Sequence, residues 1–211
     1  MARYRIEAVE QWTAEGDAKP DVSFVAPLER RRLTGVERAA LSVAWKVRPD
    51  AEIPVVFASR WGEIGVTAKL MQQFHADGEM SPAGFSASVH NATPGAFSLL
   101  TKNHAAYTAI AARDRSLEAG LLEALAQQGP VLYVYAEEAT PALYQGNFGA
   151  EQAACAVAVR LVPAGPDEAG VEAVFRVADD CAPLTFAAAA DFFAGRTATL
   201  ETASFILTRT A

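Results

Sequence analysis

The chain has 211 residues, 51% hydrophobic and 20% charged, which supports one sizeable core and excludes a disordered or fibrous protein. Its net charge is −7, and the balance is uneven: residues 1–60 hold ten Lys/Arg against nine Asp/Glu, whereas residues 61–211 hold eight against sixteen. That acidic remainder argues against nucleic acid as a partner, because phosphate neutralisation needs clustered cations. The first residues lack a signal-peptide apolar core, and no run approaches the roughly 18 apolar residues of a membrane span, so the expectation is a cytoplasmic protein.

Residues 4–9 alternate loosely and predict a first strand. Leu33, Val36, Ala39, Ala40, Val43, Ala44 and Val47 recur at helical spacing behind Thr34 and Glu37, a capping-box pair, so 34–47 reads as a helix. The run from Ile53 to Ser59 predicts a buried strand, and Val66 to His75 a helix with Leu70, Met71 and Phe74 on one face. Asp77 to Pro82 reads as a loop, 91–103 as a helix and 105–112 as a short strand. Ser116 is placed to cap a helix bearing Leu117, Leu121, Leu122 and Leu125, which Gly129-Pro130 ends. Val131 to Ala136 predicts a further strand. Strands 153–162 and 171–178, joined by a Pro/Gly-rich turn, predict a hairpin, followed by a helix over 185–194 and a last strand over 203–208. Alternating strands and helices imply a sheet covered on both faces, a three-layer α/β/α domain.

The stretch GFSASVHNATPGAF, residues 84–97, gathers two serines, a histidine and an asparagine among apolar residues. Gly84-Phe-Ser86-Ala-Ser88 comes within one residue of the GxSxG elbow but lacks its second glycine, and no strand leads into it. His75, His90 and His104 are scattered, without HExxH or Cys/His spacing, and no phosphate-cradling glycine loop occurs, so no metal or cofactor is expected. Cys155 and Cys181 show no CxxC spacing and read as buried thiols. Glu137 and Glu138 read as a solvated loop, with paired acids as the alternative. Arg30, Arg31 and Arg32 form the one basic run, either a solvated loop or a docking patch for an acidic partner.

From about Leu28 to Glu138, and most specifically in the SVHNA pentad and the SLEAGLLEA helix, the order of residues resembles the N-terminal half of the β-ketoacyl synthases. It is most similar to the short ketosynthase-like proteins of aryl-polyene pigment clusters, which look like truncated chain-length factors. The resemblance implies a thiolase-like three-layer α/β/α fold equivalent to one ketosynthase half. It implies a mixed sheet of about five strands with C-terminal additions, as a single domain with a core over 1–162 and an extension over 163–211. The family's nucleophile is a cysteine at the end of the strand that here is 105–112. In this chain Arg113 stands at or next to that position, and an arginine cannot attack a thioester. The family's two catalytic histidines belong to the C-terminal half, which the 61 residues after Ala150 are too few to contain.

The resemblance therefore implies a catalytically silent subunit that pairs with a full-length ketosynthase and limits the growing acyl chain, in polyketide, aryl-polyene or fatty-acid-like biosynthesis. Its interface would comprise Phe85, Ser86, Val89, His90, Asn91, Phe97, Tyr107, Thr108, Ala109 and Ile110. His90 and Asn91 would satisfy backbone groups where the chain enters a helix. Arg30, Arg31 and Arg32 would form a carrier-protein patch. Two alternatives stay open: a homodimeric scaffold that holds an acyl carrier protein or acyl chain through the same surfaces, and an acyltransferase or thioesterase using Cys155 or Ser86 as nucleophile.

Overall fold

The computed structural model describes residues 2–15, 19–146 and 153–210. Among these residues eight strands form one mixed sheet in the order β3-β2-β4-β5-β1-β6-β8-β7. They are β1 (Ala2–Thr13), β2 (Val55–Ala58), β3 (Tyr107–Ile110), β4 (Val131–Glu137), β5 (Cys155–Pro163), β6 (Gly170–Phe175), β7 (Thr199–Glu201) and β8 (Phe205–Thr210). β2 pairs in parallel with both β3 and β4, and the other pairings are antiparallel. The helices are α1 (Pro27–Arg30), α2 (Gly35–Val47), α3 (Ile64–Asp77), α4 (Pro82–Ala87), α5 (Ala92–Thr101), α6 (Ser116–Ala126) and α7 (Phe186–Phe193).

Two apolar cores lie on opposite faces of the sheet, which makes the three layers. On one face α6 and α7 bring Leu117, Leu121, Leu125, Phe192 and Phe193 against Tyr133, Tyr135, Val157 and Phe205. On the other, α2 and α5 bring Val36, Ala40, Val43, Val47 and Phe97 against Phe57, Leu132, Val134 and Ala158. β4 is buried along its whole length and alternates strictly between the two, Val131, Tyr133 and Tyr135 facing one core and Leu132, Val134 and Ala136 the other. Its tyrosine hydroxyl is not wasted in that apolar setting: Tyr133 donates to the Leu117 carbonyl at 2.7 Å.

The capping box of α2 forms as its residues predict. Thr34 Oγ1 accepts from Glu37 N–H at 3.0 Å, and Glu37 Oε2 accepts from Thr34 N–H at 2.8 Å. Thr185 likewise caps α7, accepting from Ala188 N–H at 3.2 Å.

Three expectations change. Residues 153–162 and 171–178 are not a hairpin, because β1 lies between β5 and β6. β1 runs to twelve residues, longer than the six its alternation suggested; it pairs with β5 from Tyr4 to Thr13 and with β6 through Ala2, Arg3 and Tyr4. The connection from β5 to β6 therefore crosses the start of β1, where the Arg3 guanidinium donates to the Pro166 carbonyl at 2.6 Å and the Glu168 carbonyl at 2.9 Å. Second, the loop after α3 gives way to the short helix α4, capped by Ser81, whose hydroxyl accepts from Gly84 N–H at 3.2 Å. Third, β7 adds an edge strand beyond β8. The first five strands end by Pro163, and β6, β7 and β8 continue the same sheet after it.

Candidate functional site

The turn after β3 has an unusual backbone. Ala111 and Ala112 leave the strand, Arg113 takes φ +53°, a 3-10 turn spans Arg113–Arg115, and α6 begins at Ser116. A left-handed conformation costs an L-residue roughly 1–2 kcal/mol, so it persists where neighbours enforce it. Ser116 does so in a way different from the expected helix cap. It is the first residue of α6, and its buried hydroxyl accepts from Ala112 N–H at 2.9 Å and donates to the Arg113 carbonyl at 2.7 Å. Asp114 pairs with Arg60 at 2.7 Å, and Arg115 reaches Glu118 at 2.9 Å and the Cys181 carbonyl at 2.6 Å. Both neighbours of Arg113 are thus anchored, and Arg113 stands exposed at the apex of a sharp strand-to-helix turn. The elbow so formed carries a guanidinium at its apex.

Beside the elbow, β3 is the edge of the sheet among the described residues, parallel to β2 on one side and without a described strand on the other. Tyr107 is exposed; Thr108, Ala109 and Ile110 are half-buried, Ala109 packing toward the α2/α5 core and Ile110 toward the other. Phe85 on α4 and Val89 after it are exposed, 59% and 42%. Ser86 and Asn91 are exposed as well. Phe97 differs from expectation. It is 4% exposed and packs against Ala40, Ala44, Val55 and Phe57, because α5 turns this position inward, while Leu99, two residues on, points outward at 83%.

His90 does bind a backbone group, its Nε2 lying 3.0 Å from the Ser59 carbonyl, and its ring sits tilted near Phe57 with centroids 5.7 Å apart. Asn91 holds the N-cap position of α5 but makes no side-chain cap bond. Ser86 lies within α4, its hydroxyl donating to the Pro82 carbonyl at 3.0 Å, so the near-match to GxSxG is a helix and not an elbow. Cys155 is buried on β5, and Cys181 is half-buried with Sγ 3.2 Å from an Arg176 nitrogen. Of the basic run, Arg30 turns inward: its guanidinium donates to the Ser23 carbonyl at 2.9 Å and to the Val25 carbonyl at 2.8 Å. Arg31 and Arg32 remain exposed.

The residues that sequence reasoning misjudged are acids. Glu137 and Glu138 are not a solvated loop. Glu137 ends β4, is buried, and accepts from the Arg60 N–H; burial pushes its carboxyl up to about 7, against the hydrogen bonds it receives. Glu138 accepts from Gly65 N–H at 2.6 Å, and its carboxylate lies so close to Gly35 and Gly65 that a Cβ on either would come 2.7 Å and 2.8 Å from its oxygens. It therefore faces the first turns of both α2 and α3, where anionic charge is favourable. Glu63, the N-cap residue of α3, is 1% exposed, and Thr93 in the first turn of α5 donates to its Oε1 at 2.8 Å. Burial raises its carboxyl to about 7, and the neighbouring Glu37 and Glu138 push in the same direction. The helix starts around this point are thus occupied by the chain's own carboxyl groups. Glycine in the first turn of two helices, with acids directly after a fully apolar strand, is the pattern from which this cluster could have been found.

Among the described residues no group of three His, Cys, Asp or Glu could hold a metal ion, and no helix is long and apolar enough to cross a membrane.

The three-layer α/β/α arrangement is consistent with the N-terminal half of a ketosynthase. Residues 5–193 match the N-terminal domain of the β-ketoacyl synthases, and the chain belongs to that family. Among solved structures it is similar to a chain of the ketosynthase ApeO in complex with its chain length factor ApeC from Xenorhabdus doucetiae. The TM-score is 0.77 at 20% identity, over 99% of this chain and 100% of that one. It is also similar to a chain of AntDE:AntF, a type II PKS acyl-carrier protein in complex with its ketosynthase bound to the hexaketide, with TM-score 0.65 at 13% identity, over 85% and 70% of the two chains. At these identities the likeness is one of fold. No curated protein sequence matches the chain.

Proposed function

We propose that the chain is a catalytically silent ketosynthase-like subunit that pairs with a full-length ketosynthase and shapes its acyl tunnel, as a cytoplasmic component of polyketide or aryl-polyene assembly. The observation that supports this reading is the elbow after edge strand β3, whose apex is Arg113, at or next to the position where the resemblance implies the family's nucleophilic cysteine. A guanidinium has no lone pair to offer a thioester. The remaining nucleophile candidates support silence as well: Cys155 is buried in the sheet, and the Ser86 hydroxyl is turned back into its own helix.

Pairing is supported by the unpaired edge of β3, a template for a partner strand, with exposed Tyr107 on it and exposed Phe85, Val89 and Leu99 on or beside the helices α4 and α5. It is further supported by the similar chain in the ApeO–ApeC complex, which this chain covers from end to end.

Co-expression with a complete ketosynthase tests the reading. The expected result is a 1:1 complex on size exclusion, with product length altered when Phe85 or Val89 is changed in size. A stable homodimer that ignores an added ketosynthase would favour a homodimeric acyl-carrier scaffold instead. The same sample, incubated with an acyl thioester and weighed intact, is expected to show no adduct; an adduct on Cys155 or Ser86 would restore an acyltransferase or thioesterase reading.

A further inference from the structure

The helix α5 is fastened unequally at its two ends. Toward its far end Phe97 is buried in the core beneath α2, and Asn103, just past the helix, donates to the Ile53 carbonyl at 2.8 Å. Its start is held less well. Asn91 makes no cap bond, Gly95 lowers the local helix propensity, and a void of about 10 Å³ lies among Thr93, Pro94, Leu41, Phe57 and Val134. Atoms that line a void lose dispersion contacts on that side.

Among the described residues two side-chain contacts tie this start to the loop 59–63 between β2 and α3. His90 Nε2 lies 3.0 Å from the Ser59 carbonyl, and its ring sits so close to Gly62 that a Cβ there would come 2.8 Å from Cδ2. Thr93 donates to Glu63 Oε1 at 2.8 Å.

Glu63 is a poor anchor once it is charged. It is 1% exposed, and its Oε2 has no hydrogen-bond partner among the described residues. Glu37 faces it from α2, Glu138 from the end of β4 and His90 from the approach to α5. Glu137, beside Glu138, accepts from the Arg60 N–H; the Arg60 guanidinium pairs with Asp114, and Lys69 on α3 acts on Glu138. Burial drives the Glu63 carboxyl up to about 7; the Thr34 and Thr93 hydroxyls oppose that, and the Glu37 and Glu138 charges add to it. Opening at this point would admit water to the carboxylate and relieve both burial and repulsion.

We propose that the start of α5 is a proton-gated joint: protonated Glu63 holds Thr93 and keeps it closed, whereas loss of the proton to solvent favours a state in which residues 88–96 leave the loop 59–63 while Phe97 and Asn103 stay anchored. The folded carboxyl holds its proton more tightly than a solvated one does. The closed joint is therefore favoured in full below about pH 4.5, and opening grows as pH rises to about 7 and levels off above it. The moving segment contains Val89 and adjoins α4 with Phe85, so the joint regulates the surface assigned above to the ketosynthase. That consequence rests on the pairing reading, whereas the joint itself belongs to the free chain.

Amide hydrogen exchange of the free full-length chain, followed by NMR and corrected for intrinsic pH dependence, reads the joint at Gly95, whose N–H donates to the Asn91 carbonyl at 3.2 Å. Its protection is expected to fall at least about tenfold between pH 5 and pH 8, and at pH 8 to lie at least about tenfold below that of Val43 within α2. Glu63→Gln is expected to keep the pH 5 level at both values. Thr93→Val, which removes the donor at nearly constant volume, is expected to lower protection about fivefold at pH 5. His90→Gln retains a donor toward Ser59 and is expected to keep the pH dependence. Flat protection in the parent, a fall that survives Glu63→Gln or vanishes in His90→Gln, or equal protection of Gly95 and Val43 would each overturn the proposal. In the last case the joint would open only with the whole domain. Capture of a complete ketosynthase is read separately, and is expected to depend on pH in the parent and not in Glu63→Gln; pH-independent capture by the parent would overturn the regulatory consequence. No capture at either pH, with the exchange pattern as expected, would sink the pairing reading and support the joint, and capture alongside flat exchange would do the reverse.

Discussion

At the scale of single residues, the chain places carboxyl groups where burial disfavours their charge, and Glu63 is the clearest case. It is sealed from solvent, its Oε1 accepts from Thr93, and its Oε2 has no hydrogen-bond partner among the described residues. Its folded-state value of about 7 against an ordinary 4.5 means that the folded chain holds this proton more tightly than the unfolded chain does. The penalty for ionising it is therefore absent below about pH 4.5, grows as pH rises through the interval, and is complete above about 7, reaching at most about 3 kcal/mol. Glu63→Gln resembles the protonated form. It is expected to match the parent in denaturant titration at pH 4 and to exceed it by about 1 kcal/mol or more, on the order of the linkage above, at pH 8.5. Equal stability of the two proteins at pH 8.5 would remove the ionisation penalty as an explanation.

Among the elements, α6 shows how a helix's position depends on one small residue. Gly120 faces the sheet, and a Cβ built there would collide with the Cβ of Ala58 on β2 and lie 2.9 Å from Cε2 of Tyr133 on β4. Neither neighbour can retreat: Ala58 and Tyr133 are fully buried, and the Tyr133 hydroxyl is fixed to the Leu117 carbonyl. Gly120→Ala gains helix propensity of up to about 1 kcal/mol yet overpacks this contact by roughly 1–3 kcal/mol. The expected outcome is a lower Tm, and because α6 starts at the elbow, the Arg113 turn should shift with it. A raised Tm would mean that the helix can stand farther from the sheet. Elements of this kind were largely legible in the sequence. The capping box of α2, the apolar runs of β2 and β4 and the leucine stripe of α6 each have a local cause in spacing. Neighbour relations did not. The Pro/Gly-rich link between β5 and β6 carries the same local signal whether the strands pair directly or leave room for β1, and only long-range pairing decides. The acid cluster was hidden for a related reason, since Glu37, Glu63 and Glu138 become neighbours only when α2, α3 and α5 start at one end of the sheet. The turn between the strand over 105–112 and the leucine-striped helix after it was legible in the apolar pattern, whereas the inward turn of Phe97 is a matter of helix phase that the stretch 84–97, polar and apolar by turns, did not fix.

For the molecule as a whole, the two edges of the sheet differ in what surrounds them. β7 is a three-residue strand at one end, while at the other β3 runs beside α5, whose Gly95 would carry a Cβ 3.6 Å from the Tyr107 hydroxyl. Tyr107 and Phe85 are large, aromatic and exposed, the residue type that dominates binding energy at protein interfaces. They support no core in the free chain, so removing them should leave the monomer's stability within about 0.5 kcal/mol of the parent. In a complex built across β3 they become central. The paired change Phe85→Asp and Tyr107→Lys also places opposite charges where a partner would have to desolvate them, which costs far more than the lost contact. The expected outcome is unchanged Tm of the isolated chain and a ketosynthase affinity reduced by about a hundredfold or more, on the order of two aromatic hot spots. A double variant that co-purifies with the ketosynthase as well as the parent does would move the interface away from β3 and require another role for the Arg113 elbow.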